Sequence, residues 1–386
     1  MCIRDSYLYH SLNMAWGDDP EPFFMKRVLQ YTGLDGEGAF SIVPHILIGL
    51  VLTWIAIYFS IWKGVKTVGK VVWITVPLPA LILVIIIIRG ITLPGAAEGL
   101  TAYLTPDLDA LKNPSVWLDA FGQVFYSLSL GFGIMIAYAA YNPKDSDVNN
   151  NAFTTGLWDS FFAYLCGFAV FSVLGFLAVS LDKTVADVAS SGPGLAFVVF
   201  PTILSKLPFL NVAFSVLFFL MLLTLGIDSA FSLVEAIAKA FGDYFPRVRT
   251  EVMALFCCIA MFLAGLVFST KAGLNVLDIT DHYFNMGLVI VCLMECVLVG
   301  WLVGPAKLRE YANSVSDFRI GAWWDAAIRF AVPAMLFYLV ASTVVKDLAE
   351  GYGGYPLKWR LIAGWIPLVM TFVVGLVLGA HWRLLT

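Results

Sequence analysis

Charge is what this sequence has least of. Asp, Glu, Lys and Arg make up 13% of its 386 residues and hydrophobic residues 60%, whereas a water-soluble domain carries roughly 25% charged residues. A chain so composed is a polytopic membrane protein. With a net charge of −4 and no Lys/Arg-rich run, it lacks the basic surface a nucleic-acid partner requires. The six cysteines (Cys2, Cys166, Cys257, Cys258, Cys292 and Cys296) include no C-x-x-C pair, which excludes the usual zinc and redox spacings. Cys292 and Cys296 share a helical face and read as packing residues. No Ser/His/Asp or Cys/His nucleophile arrangement stands out, so the chain is not expected to be an enzyme and needs no cofactor. Asn-x-Ser/Thr acceptors are missing too, since Asn113 is followed by Pro. No basic segment precedes a short apolar core at the start, so no signal peptide is expected.

What is abundant is apolar length. Runs able to cross a ~30 Å hydrocarbon core fall near 44–62, 71–88, 117–141, 153–181, 210–238, 252–269, 283–304, 323–345 and 361–380, nine in all. Residues 1–43 hold no such run and read as the last turn of a helix at Tyr7–Trp16 and then a polar loop. Met1–Ser6 looks unrelated to the rest of the chain. Three short loops concentrate basic residues: Lys63, Lys66 and Lys70; Arg247 and Arg249; Lys307, Arg309 and Arg319. All fall on one side, which the positive-inside rule makes cytoplasmic. The first span then enters from outside with no export signal before it, and upstream helices are expected to be missing.

One predicted span is poorly suited to an unbroken helix. Val124–Gly133 reads Val-Phe-Tyr-Ser-Leu-Ser-Leu-Gly-Phe-Gly, with two serines and two glycines where hydrocarbon is thickest. Unwinding at that depth is tolerated only where the freed backbone lines a cavity or binds something, and such a break points to a transporter's binding site. Asp159 and Asp228 each lie about ten residues, roughly 15 Å, into their spans, level with Ser127–Gly133. Intramembrane acids are functional candidates because each costs at least about 2.5–3.5 kcal/mol. Asp228-Ser229 offers a carboxylate, a hydroxyl and nearby carbonyls, hard donors suited to an alkali cation. A carboxylate simply hydrogen-bonded to a neighbouring helix, or one relaying protons, fits the residues equally. Glu295 reads as an interhelical hydrogen bond, and His45 and His282 as interfacial. Gly131-x-Gly133 is no dinucleotide fingerprint, because no strand precedes it.

Five segments resemble the neurotransmitter:sodium symporters: Gly69-Lys-Val-Val-Trp-Ile-Thr-Val-Pro77, Arg89-Gly-Ile-Thr-Leu-Pro-Gly95, Gln123 through Gly133, Ser191-Gly-Pro-Gly-Leu-Ala-Phe-Val-Val-Phe-Pro201 and Leu225-Gly-Ile-Asp-Ser229. The resemblance runs in order from about residue 16 to the end. It implies an all-α inverted-repeat sodium-symporter fold lacking the first two helices and most of the third, in one transmembrane domain over 1–386. Residues 1–43 would be the end of the third helix plus an extracellular loop, 44–304 helices four to ten, and 305–386 helices eleven and twelve.

Carried over by position, the resemblance implies substrate contacts at Tyr126, Ser127, Ser129, Phe132, Ser229 and Leu233, with Tyr126 and Phe132 as aromatic lid and wall. Ser127 and Asp159 would serve one sodium site, and Leu225, Asp228 and Ser229 the other. Asp281 resembles an extracellular gate, Asp243 and Tyr141 a cytoplasmic one, and Gly69…Pro77 a point where the fifth helix unwinds. Gln123 is a remnant of a chloride site whose second Ser is replaced here by Ala163, while Asp159 stands where many members have Asn. The expected function is sodium-coupled symport of a neutral, hydrophobic or aromatic amino acid, independent of chloride, by alternating access in the cell membrane. The chain alone is expected to be inactive. A proton-coupled or non-transporting membrane protein of the same fold is the alternative.

Overall fold

A computed structural model describes residues 2–62, 65–207 and 209–385; Lys63 of the first basic loop lies outside them. Among the described residues the chain is helical apart from an isolated antiparallel bridge, Ile42 with Thr270. Eight helices among those residues are long and apolar enough to cross a membrane: Pro44–Ile61, Val68–Ile91, Val148–Leu181, Asn211–Tyr244, Thr250–Ser269, Gly273–Val303, Trp323–Ala349 and Leu357–Ala380. They account for eight of the nine expected spans. The ninth is two shorter helices, Pro114–Ser127 and Ile134–Ala139, interrupted where serine and glycine crowd.

Proline shapes several spans. Wider turns of π type occur at Leu195–Val199, Leu298–Val303, Ala327–Ala331 and Leu361–Trp365, shortly before Pro201, Pro305, Pro333 and Pro367. A proline ring pushes against the carbonyl four residues back and offers no N–H to it, so the preceding turn relaxes to i→i+5 bonding. In the Val68–Ile91 span the helix Val65–Thr75 stops before Pro77 and a second helix, Pro77–Ile91, comes next. Val76, between them, keeps helical angles (φ −85°, ψ −49°) and its N–H donates to the Val72 carbonyl at 3.1 Å, so the helix bends past Pro77 without unwinding there.

The chain divides into two compact units. The first comprises Met1–Asp107 and Phe161–Leu274. Its amino-terminal helix runs over Cys2–Ser11, earlier than the Tyr7–Trp16 turn read from sequence, and packs against Pro44–Ile61 and Asn211–Tyr244. Within the stretch expected to be unrelated, Arg4 donates to the Leu222 carbonyl at 2.7 Å. Tyr7 is fully buried amid Trp16, Phe23, Phe24, Phe197 and Phe219 and donates to the Phe197 carbonyl at 2.9 Å. Cys257 and Cys258 are buried with Ile57, Phe231 and Val234, as packing residues.

The second unit comprises Leu108–Ser160 and Asn275–Thr386. Asp147 caps the Val148–Leu181 helix, its carboxylate accepting from the Asn150 N–H at 2.9 Å and the Asp317 N–H at 3.1 Å. Those bonds hold its carboxyl below the usual carboxylate range. Buried Asn149 donates to the Asn313 side chain at 3.0 Å and the Phe318 carbonyl at 2.9 Å, tying the helix start to the 313–320 connection. At the broken helix the N–H groups of Leu128, Ser129 and Leu130 fold back on the carbonyls of Val124, Tyr126 and Phe125. Ser129, Gly131 and Gly133 have φ of +54°, +77° and +73°. A Cβ on Gly131 would lie 2.9 Å from the Leu288 carbonyl oxygen and 3.1 Å from Cys292 Sγ, whereas one on Gly133 would meet nothing within 4 Å. Gly133→Ala should therefore cost only the left-handed backbone penalty, about 1–2 kcal/mol, and Gly131→Ala about 1–3 kcal/mol more from overlap. Thermal unfolding of the whole protein in detergent measures both; equal losses would contradict the close approach.

Candidate functional site

The broken helix places a hydroxyl against an acid. Ser127, the last residue of Pro114–Ser127, donates through Oγ to Asp159 Oδ1 at 2.5 Å. Asp159 belongs to Val148–Leu181, three turns from its start. A hydroxyl donated to a carboxylate is a charge-assisted bond, and this one joins the broken helix to Val148–Leu181. Across the break the rings of Tyr126 and Phe132 meet edge-on, 5.8 Å between centroids. Ser129 occupies the left-handed region, a strained conformation for a residue with a side chain. A cavity of about 460 Å³ opens beside them, lined by Gln123, Tyr126, Asp281, His282, Asn285 and Thr343 among others. Asp281 accepts from Asn285 Nδ2 at 3.1 Å. Ala163, at the expected chloride-site position, is an exposed helix residue.

The other unit carries the second acid. Asp228 lies in the helix Asn211–Tyr244, and near its carboxylate is the Thr75 hydroxyl, which donates to the Val71 carbonyl at 3.0 Å. Its Oδ1 is buried without a hydrogen-bond partner among the described residues, an unusual state for a polar atom. Ser229 Oγ donates to the Leu225 carbonyl at 3.1 Å and Ser232 Oγ to the Asp228 carbonyl at 3.0 Å. About two helical turns, Leu225 to Ser232, thus concentrate a carboxylate, two hydroxyls and two carbonyls. Leu233 lies beyond them, half-buried, on the same helix.

Several residues take positions that sequence did not foresee. Glu235, two turns after Asp228, is 3% exposed, and neither carboxylate oxygen has a hydrogen-bond partner among the described residues. The rule that singled out Asp228, an acid in an apolar span, applies to it as well. The contact given for Glu295, expected to bond another helix, lies on its own helix: Cys292 Sγ at 3.7 Å, a weak donor. Asp243 is paired with Lys239 one turn back, and Tyr141 is exposed past the end of Ile134–Ala139. His45 contacts the Val28 carbonyl at 2.8 Å at the start of its span, as an interfacial histidine would. His282, also read as interfacial, instead makes a 2.7 Å contact with Asp347, which is 5% exposed.

Comparison with known proteins bears on these sites. Residues 4–384 match the sodium:neurotransmitter symporter family. An uncharacterized sodium-dependent transporter of Methanocaldococcus jannaschii is 39% identical over 380 residues, covering 96% of this chain and 75% of its own. The sodium- and chloride-dependent glycine transporter 2 of Xenopus laevis is 34% identical over 94% of this chain and 46% of its own. The sodium- and chloride-dependent taurine transporter of Canis lupus familiaris is 34% identical over 90% and 59%. The chain therefore spans three-quarters of the archaeal relative and about half of the vertebrate ones. The match begins at residue 4 and takes in part of the stretch that looked unrelated. Multiple membrane-length helices, a broken helix with a serine–aspartate pair, and a match over nearly the whole chain lead to one conclusion: the chain is a multi-pass membrane protein, not an enzyme, and belongs to the sodium:neurotransmitter symporter family.

Proposed function

We propose that the whole protein is a sodium-coupled symporter of a neutral amino acid, hydrophobic or aromatic, working by alternating access. The observation that carries this reading is the Ser127–Asp159 bond at the helix break. Ser127 and Asp159 supply hard oxygens to one sodium, and Leu225 (through its carbonyl), Asp228 and Ser229 supply another. Substrate contacts fall to Tyr126, Ser127, Ser129 and Phe132, and to Ser229 and Leu233. Tyr126 and Phe132 give an aromatic surface, and Leu233 an apolar one. Neither suits a second charge on the substrate side chain. Asp281 serves the extracellular gate, and Asp243 with Tyr141 the cytoplasmic one. Glycine and taurine, for which two of the relatives are named, are small zwitterions, compatible with a site that reads one ammonium and one acid group.

Energetically, each sodium entering down a −100 mV potential releases about 2.3 kcal/mol. Two sodium ions would support about a 10³-fold substrate gradient from the potential alone. Proton coupling is the second reading, and unpartnered Glu235 is the observation in its favour. Sodium is preferred because both Asp159 and Asp228 have hydroxyl groups at hand, whereas a proton needs none.

Chloride independence follows from Asp159. A permanent carboxylate beside Ser127 supplies the negative charge that a bound chloride would bring, and Ala163 removes one chloride donor. Replacing chloride by gluconate should leave sodium-driven uptake in proteoliposomes unchanged. Asp159→Asn should lower uptake about tenfold or more without chloride, the loss of one charge-assisted contact, with recovery when chloride is restored. Chloride-dependent uptake by the unaltered protein would refute the assignment. For the substrate, leucine, tryptophan and tyrosine in excess should displace a radiolabelled neutral amino acid, whereas lysine and glutamate should not. Uptake confined to a cationic substrate would overturn the amino-acid reading.

A further inference from the structure

The helix that carries Asp281 is held at the same end by a set of contacts the proposed transport site does not use. His282 Nε2 lies 2.7 Å from Asp347 Oδ2, with side-chain exposures of 19% and 5%. The imidazole lies flat on Tyr352, ring centroids 3.7 Å apart and 10° between planes. Tyr352 and Tyr355 donate to the two oxygens of Asp278 at 3.0 and 2.8 Å. Burial, and next the bond to Asp278, push the Tyr352 phenol up in pKa, so it remains a donor. Arg360 closes the set by donating to the Asp347 carbonyl at 3.1 Å. Gly273–Val303, Trp323–Ala349, the 350–356 connection and the start of Leu357–Ala380 are thereby joined at one point.

That point borders the 460 Å³ cavity. Asp281, His282 and Asn285 line it from one of the joined helices, and Leu339 and Thr343 from another. Asp281 comes three residues after Asp278 and one before His282, so both anchors bracket it within a single turn. The groups facing His282 are Asp278, Asp281 and Tyr283 on its own helix, Asp347 on Trp323–Ala349, Tyr352 and Tyr355 in the connection, and Arg360 beyond it. Acidic groups outnumber Arg360 around the ring. Protonating His282 turns its contact with Asp347 from a hydrogen bond between an uncharged imidazole and a carboxylate into a buried ion pair, and adds cation–π attraction to Tyr352.

We propose that His282, through Asp347 and Tyr352, is a proton-responsive positioning residue for Asp281, setting how far the two helices beside the cavity separate. The inference rests on the reading of Asp281 as a transport gate, but its structural content, a clamp tightened by acid, holds whatever is transported. Acid ties the helices together and narrows the cavity; alkali loosens them.

The test uses the whole protein in detergent, so that neither side of a membrane is assumed. With Thr343→Cys as reporter, the rate of maleimide labelling at that peptide is read by mass spectrometry at about pH 5.5 and about pH 8. Because Asp347 lies one turn from position 343, the thiol is titrated in each background and rates are expressed per thiolate, so the comparison with His282→Gln isolates the clamp. Labelling should slow in acid about fivefold more when His282 is present than in His282→Gln. Asp347→Asn, which keeps the shape and loses the charge, should behave like His282→Gln. Equal pH ratios in all three would overturn the proposal. Sodium-driven uptake over the same pH range separates the two ideas. Uptake whose pH limb survives His282→Gln counts against the clamp, whereas absence of sodium-driven uptake with the labelling difference intact defeats the transport reading and leaves the clamp standing.

Discussion

A carboxylate taken into hydrocarbon must be met by something, and the bond between Ser127 and Asp159 is where this chain meets that demand most directly. Other hydroxyls in its helices turn inward on their own backbone. Thr155, Ser160, Ser229 and Ser232 each donate to the carbonyl four residues back, the habit of hydroxyl side chains in helices. Ser127 does not. The helix ends on it, and its hydroxyl turns to Asp159 instead. The break is what makes the hydroxyl available, and the glycines are what make the break possible. Gly131 accepts a positive φ and lets the chain pass the Leu288 carbonyl at a separation no Cβ would permit. Sequence, backbone and site are one chain of cause at this spot.

The same reasoning explains how much was legible in the residues alone. Apolar length is local and nearly uniform, so eight spans were legible from composition alone. The ninth was legible as a span and, from its serines and glycines, as a broken one. Asp159 and Asp228 stood out because acids are conspicuous in apolar surroundings. The π turns before Pro201, Pro305, Pro333 and Pro367 were not anticipated, although the physical rule was at hand; only the backbone shows whether a proline kinks a helix or widens it. His282 and Asp347 are 65 residues apart, and no periodicity links them. His282 reads as an interfacial histidine, nothing in the sequence singles out Asp347, and only packing shows them joined. The extent of the first helix was misjudged because a turn and a half of polar residues gives no hydrophobic signal until the Asn211–Tyr244 helix is laid against it.

Asp228 and Glu235 share one helix and one difficulty, buried carboxylate oxygens without a partner among the described residues, and comparing them sharpens what an ion site requires. Sodium, like other hard cations, is held by several oxygens at once. Asp228 has the Thr75 hydroxyl beside it, Ser229 next to it and the Leu225 carbonyl one turn back. That carbonyl accepts from Ser229 but has a second lone pair, so the turn still offers donors to a cation. Glu235 is flanked along its helix by Phe231, Val234 and Ala236, all buried and apolar, and brings its carboxylate alone. Both acids carry the same charge and Glu235 is the more deeply buried, so the count of neighbouring oxygens, rather than burial, separates them. By that count Asp228 is the better suited of the two to a cation, whereas Glu235 could be satisfied by a single proton.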